Sequence, residues 1–224
     1  MPLSKKHQAA LRYAFSLAFL FAFGASIFVL ITLTLGLPQT LSTLVLDTPG
    51  NFLFLYGLIA AGTVFLSTSF ERLKTLIHEV KHAVVVLLTG NVLRSMYVGS
   101  GTGYVTFQLF KRKKRYAPFI LLAPYFFPLL SLPLFIVILI LGSEPNIDIL
   151  KLLLGLALGT DLTTAYLELH PHQTDLRRVL GGRFISYLFL LAINVLWFLL
   201  VSLWVVGGFD AIALSSLHGV ATLF

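Results

Sequence analysis

The stretch Leu76-Ile77-His78-Glu79-Val80-Lys81-His82-Ala83-Val84-Val85-Val86-Leu87-Leu88 joins a knot of ionisable side chains to an unbroken apolar run. It reads as a helix, but about 13 residues fall short of the roughly 20 that cross a hydrocarbon core of about 30 Å. Basic residues flank it on both sides, Arg72 and Lys74 before it, Arg94 and the cluster Lys111 to Arg115 after it. A segment with positive charge at both ends either dips in from one face or sits in a thinned, protein-lined region, and both remain open.

Five longer apolar runs surround this short one: Tyr13 to Leu35, Phe52 to Phe70, Ala117 to Leu141, Ile147 to Leu169 and Phe184 to Val206. The 224 residues are 58% hydrophobic and 11% charged, too little polar surface to cover a water-soluble domain of this size. The expected fold is an all-α polytopic membrane protein with about five transmembrane helices and a short helix bearing His78. A small β-hairpin should separate that helix from the next span. We read residues 1–224 as a single membrane domain: an N-terminal anchor helix and external loop over 1–50, a core over 51–207, and an external tail over 208–224.

The first run follows Lys5, Lys6 and Arg12 like a signal peptide, but it is too long for one and lacks a small-x-small cleavage site, so a retained anchor is expected. Loops carrying Lys5, Lys6 and Arg12, then Arg72 and Lys74, then Arg94 and Lys111 to Arg115, then Arg177, Arg178 and Arg183 alternate with loops carrying Asp47, Glu144 with Asp148, and Asp210. By the positive-inside rule the N-terminus and the His78 region face the cytoplasm, with the inner cell membrane the expected location. The net charge of +7 is explained by these loops, so it argues for a lipid surface and not for nucleic acid. No cysteine is present, which removes disulfides, iron–sulfur clusters, thiolate metal sites and cysteine nucleophiles.

Between Val92 and Phe110 two β-rich runs enclose Gly99-Ser100-Gly101-Thr102-Gly103, the pattern of a hairpin. The run after it holds Pro118, Pro124, Pro128 and Pro133, which predicts a kinked or partly unwound helix sheltered by protein.

The chemistry concentrates at His78-Glu79-Val80-Lys81-His82. Two histidines four residues apart bring both imidazoles to one helix face, close enough to share one metal ion. With no thiolate available, that ion would be held by histidine and carboxylate, and Zn2+ is the expected cofactor. Glu79 beside the first histidine can take a proton from zinc-bound water and pass it to a leaving amine. The alternative is coincidence, with Glu79 and Lys81 on a solvated face. A catalytic zinc needs a third protein ligand, for which Asp175, Asp161, His170 and His172 are candidates. Asp175 lies just past the fourth apolar run on the same side as His78, so depth favours it; Asp161 lies inside that run, where an acid is a functional candidate by default.

These residues resemble the site-2-protease-like intramembrane zinc metallopeptidases, the peptidase M50 group, and in particular its small divergent members. The resemblance runs from about Phe52 to Val206: an apolar span, the helix with His78 to Ala83 and then Gly90, a glycine-containing hairpin, Leu122-Ala123-Pro124-Tyr125-Phe126-Phe127-Pro128, and a closing aspartate region. It implies zinc held by His78, His82 and an aspartate, with Glu79 as general base, and cleavage of membrane-embedded or membrane-adjacent peptide bonds in a membrane protein or peptide substrate. Asp175-Leu176-Arg177-Arg178-Val179-Leu180 is similar to the family's Asp-Gly ending with Leu176 in place of glycine, and Asp161 is similar to an earlier aspartate of divergent relatives. Lys81 stands where many relatives have glycine. The family also implies that an exposed strand takes an extended substrate; Tyr104 to Phe110 is the expected edge, and Thr106→Pro should remove a donor and slow cleavage without emptying the zinc site.

Three functions are therefore carried forward: a zinc endopeptidase, a catalytically inactive relative acting as a membrane scaffold, and a small proton or metal transporter. The last is disfavoured by the lack of an internal repeat.

Overall fold

A computed structural model describes residues 17–43, 48–141, 147–170, 173–179 and 182–223. Lys5, Lys6, His7, Arg12, the start of the first run at Tyr13, Asp47, Glu144 and His172 lie outside the described residues. The elements in chain order are α1 (Leu17–Thr43), α2 (Pro49–Ser67), α3 (Glu71–Leu88), β1 (Val92–Val98), β2 (Gly103–Gln108), a 3-10 turn (Lys111–Tyr116), α4 (Ala117–Phe126), α5 (Ser131–Leu141), α6 (Ile147–Leu167), α7 (Thr174–Arg178) and α8 (Gly182–Leu223). The helices and the two-stranded antiparallel sheet agree with the expected class.

The span count does not. Three described helices are long and apolar enough to cross a membrane, Phe19–Ser42, Pro49–Ser67 and Gly182–Leu223, or four if α4 and α5 count as one broken span. Five were expected. The proline-bearing run is divided at Phe127 to Leu130 into two sharply bent halves, and α6 carries Asp148, Lys151 and Asp161 among its 21 residues. Those apolar helices still make this a membrane-embedded protein. The last helix continues well past Val206 to Leu223, leaving helical geometry only at Gly207 and Gly208.

The chain forms two compact units. The first takes in Thr68–Phe127, Thr164–Leu191 and the chain up to Phe23. At its centre Val85 and Val86 of α3 meet Ile120 and Ala123 of α4, walled by Leu93, Phe107, Leu109 and Phe119. The helix α3 ends because Gly90 adopts a left-handed φ of 66°. That geometry lets Gly90 N–H bond Leu87 O at 2.8 Å and Asn91 N–H bond Val86 O at 3.0 Å, satisfying the last carbonyls and turning the chain into β1. In the hairpin, Val98 faces Gly103 and Met96 faces Val105, with a bulge between Leu93 and Ser95. The predicted hairpin is thus present, and the helix before it runs 18 residues, gaining a polar turn ahead of Leu76.

The second unit comprises Gly24–Ser67, Pro128–Thr163 and Ala192–Phe224. Phe54, Ile138, Leu154, Leu158, Val201 and Val205 form its core. Gly155 and Gly159 of α6 lie against the backbone of Phe54 and Leu58 of α2, closer than any side chain would permit. In this unit Asp161 has a defined task. Its Oδ2 accepts bonds from Leu130 N–H (3.0 Å), Ser131 N–H (2.8 Å) and Ser131 Oγ (2.9 Å), at the start of α5. Trp197 Nε1 donates to the same Ser131 hydroxyl at 3.0 Å. Breaking a helix inside lipid orphans the first amides of its second half, and a carboxylate there supplies both the acceptor and a charge suited to the positive end of the helix.

Candidate metal centre

Helical spacing places His78 and His82 on one face of α3 with ring centroids 5.1 Å apart. Asp175 comes from the single turn α7, which is pinned by the fully buried Leu176, whose carbonyl accepts from Ser186 Oγ at 3.0 Å. Metal-binding atoms of His78, His82 and Asp175 all lie within 4.8 Å of one another. His82 Nε2 and Asp175 Oδ2 stand 3.8 Å apart, too far for a hydrogen bond. Two ligands bonded to one tetrahedral zinc at about 2.0–2.2 Å sit roughly 3.3–3.6 Å from each other, so a small closing movement brings these atoms to ligand spacing.

The protonation pattern fits the same use. His82 Nδ1 lies 2.7 Å from the carbonyl oxygen of Ile120, an atom that only accepts, so Nδ1 carries the proton and Nε2 keeps its lone pair. The source of that carbonyl is itself legible: Pro124, four residues on in α4, has no N–H to bond Ile120 O within the helix. Burial, and then the neighbouring His78, pull the His82 imidazole down to about 3, outweighing the Ile120 contact, so it is neutral. Burial raises Asp175 above the ordinary carboxylate range, opposed by His78 and Arg178. Two imidazoles and one carboxylate match the donor set of catalytic zinc sites.

Glu79 is 5% exposed and Lys81 1%, so the turn between the histidines is not a solvated face. Burial raises the Glu79 carboxyl, His78 opposes the shift, and Asp175 and Glu168 add to it. A carboxylate with increased proton affinity is a stronger base.

Of the candidates for a third ligand, Asp175 joins the histidines and Asp161 does not, its carboxylate being engaged at the start of α5. His170 is exposed and outside the group. Two neighbours were missed by sequence reasoning. The Tyr125 ring stands edge-on to His78 at 5.7 Å between centroids, and Glu168 Oε2 lies 3.3 Å from His78 Nδ1. Glu168 has a signal, being an acid at the end of the apolar run Ile147 to Leu169 on the His78 side; Tyr125 has only its place in the stretch Leu122 to Pro128. The contact from His78, the leading cause, holds Glu168 below the usual carboxylate range despite its burial.

Comparison of the chain with protein-family models, curated proteins and solved structures finds no match.

Proposed function

We propose that this chain is a zinc-dependent intramembrane endopeptidase of the site-2-protease-like kind, acting on membrane-embedded or membrane-adjacent peptide bonds. One observation carries the reading: the metal-binding atoms of His78, His82 and Asp175 converge within 4.8 Å beside a buried Glu79. Those three residues would hold the ion. When bound, zinc would lower the pKa of a water and polarise the scissile carbonyl. Glu79 accepts the water proton as the oxygen attacks carbonyl carbon, then returns it to the amine nitrogen as the carbon–nitrogen bond breaks. The buried setting of Glu79 suits both halves of that transfer, since the proton is held firmly enough to be taken and is later given to a basic amine.

The substrate we propose is a membrane protein or peptide that reaches the site locally unwound, because a helical peptide bond is shielded by its own hydrogen bonding. Every described Lys and Arg except Lys151 belongs to the unit that contains this site. That charge bias supports a site facing the cytoplasm, in the inner cell membrane.

The test is zinc content and cleavage of a membrane-embedded reporter by the purified chain. Wild type and Glu79→Gln should each hold about one zinc while only wild type cleaves, and His78→Ala should do neither. A wild type that binds no zinc would point instead to the scaffold.

A further inference from the structure

The geometry points to a second binding site, separate from the histidines: a cavity at the end of α3 that takes the phosphate group of an anionic phospholipid. Its volume is about 520 Å3, and Arg112, Lys113 and Arg115 of the 3-10 turn line it together with Leu88, Gly90 and Tyr116. That size suits a small molecule or a headgroup and exceeds what one bare ion fills. Among the described residues no carboxylate pairs with the three cations, and none lines the cavity. Three positive charges around one concavity with no acid among them repel one another until an anion enters.

Two of the three cations are held in place by their neighbours. Lys113 Nζ donates to Gly90 O at 2.6 Å and stands 5.4 Å from the centroid of the Phe110 ring. A Cβ on Gly90 would collide with that Nζ, so the approach of the lysine depends on glycine at this turn. The bond also removes an obstacle, since the end of a helix carries partial negative charge that disfavours an anion, and here an ammonium covers the exposed carbonyl. The guanidinium of Arg115 lies over the Tyr116 ring, 4.9 Å from its centroid. Stacking occupies the face of a guanidinium and leaves its N–H edge available, and that edge matches two oxygens of a phosphate. The rim favours a lipid over a free ion. Leu88 is 70% exposed there and Leu87 beside it 57%, and in a membrane-embedded chain such leucines face acyl chains. Cations and apolar surface therefore meet at one mouth, as charge and hydrocarbon meet in an anionic phospholipid. An occupant would set the Gly90 end of α3 at the level of the headgroups.

The test is independent of zinc and uses the full chain in a neutral detergent, with bound lipid counted and its affinity measured by native mass spectrometry. Phosphatidylglycerol should be retained at about one molecule per chain, more tightly than zwitterionic phosphatidylcholine. Arg112→Gln combined with Arg115→Gln should weaken its binding about tenfold or more, because charge-assisted contacts to the phosphate are lost. Lys111→Gln combined with Lys114→Gln removes the same charge from the same turn but outside the cavity, and should change the affinity by no more than about threefold. Equal losses in the two double variants would overturn the proposal in favour of a diffuse basic surface. So would the lack of any preference for phosphatidylglycerol, or its displacement by an equal concentration of inorganic phosphate, which would make this a site for the free ion. Melting curves without lipid should coincide for all three proteins, and the wild-type lipid comparison decides alone if they do not.

Discussion

Gly103, the first residue of β2, lies directly over Glu79: a Cβ built on it would stand 2.6 Å from Glu79 Oε1, 2.7 Å from Glu79 Cγ and 2.8 Å from Thr75 Cγ2. The carboxylate end could swing aside, but Cγ and the β-branched Thr75 on the same helix have little room to give. Gly103→Ala should therefore displace Glu79 or lift the hairpin, at an overpacking cost of about 1–3 kcal/mol. We expect reporter cleavage to fall at least about tenfold, by analogy with the loss of a positioned general base, while zinc content is unchanged. Wild-type cleavage by Gly103→Val, the bulkier change, would show that this contact has no bearing on the reaction.

The engagement of Asp161 separates it from Asp175 by two readouts. Asp161→Ala leaves two amides and a hydroxyl at the start of α5 without their shared acceptor, and each buried unsatisfied group costs about 1–3 kcal/mol. Thermal unfolding in detergent should shift downward by several degrees with zinc content intact. Asp175→Ala should do the opposite, losing zinc. The reverse pattern, zinc lost from Asp161→Ala and kept by Asp175→Ala, would restore Asp161 as the third ligand.

Pro124 makes a prediction with two signs. A proline inside a helix costs about 3 kcal/mol relative to alanine, so Pro124→Ala should leave stability unchanged or improved. The restored N–H would also compete for the Ile120 carbonyl that holds His82 at 2.7 Å, so zinc affinity should drop several-fold towards the lower end of what outer contacts contribute. Chelator competition and a melting curve on the same sample check both signs. Parallel changes in the two would mean that the proline acts only through folding.

What could be read in advance followed from local geometry. His78, Glu79 and His82 are set by four-residue spacing on one helix, and the hairpin by alternation around a glycine cluster. Asp175 is favoured by ligand type, by depth and by its likeness to the family's Asp-Gly ending, and its carboxylate falls within 4.8 Å of both histidines. The span count failed because apolar length does not record where proline breaks a helix or that a buried acid is needed to cap the broken end. Glu168 was passed over for a related reason. Its neighbour His78 is remote in the chain, and no spacing rule links the two.

The hairpin edge also needs a different probe from the one its sequence implies. Gly99 N–H bonds Thr102 O at 2.8 Å, and hydrogen-bonded pairs then alternate along the ladder, so Tyr104 opposite Tyr97 and Thr106 opposite Ser95 turn their N–H groups inward. The Thr106 and Ser95 hydroxyls are themselves 2.5 Å apart. Thr106→Pro would thus break the hairpin and not its free edge. Val105 faces Met96 as a non-bonded pair, which directs its N–H outward, where an extended substrate could accept it. Val105→Pro should slow cleavage of the reporter while sparing zinc content and the hairpin, the latter followed by amide exchange at Tyr104 and Thr106. Unchanged turnover in Val105→Pro would remove strand addition at β2 from the mechanism and leave the zinc site to stand without it.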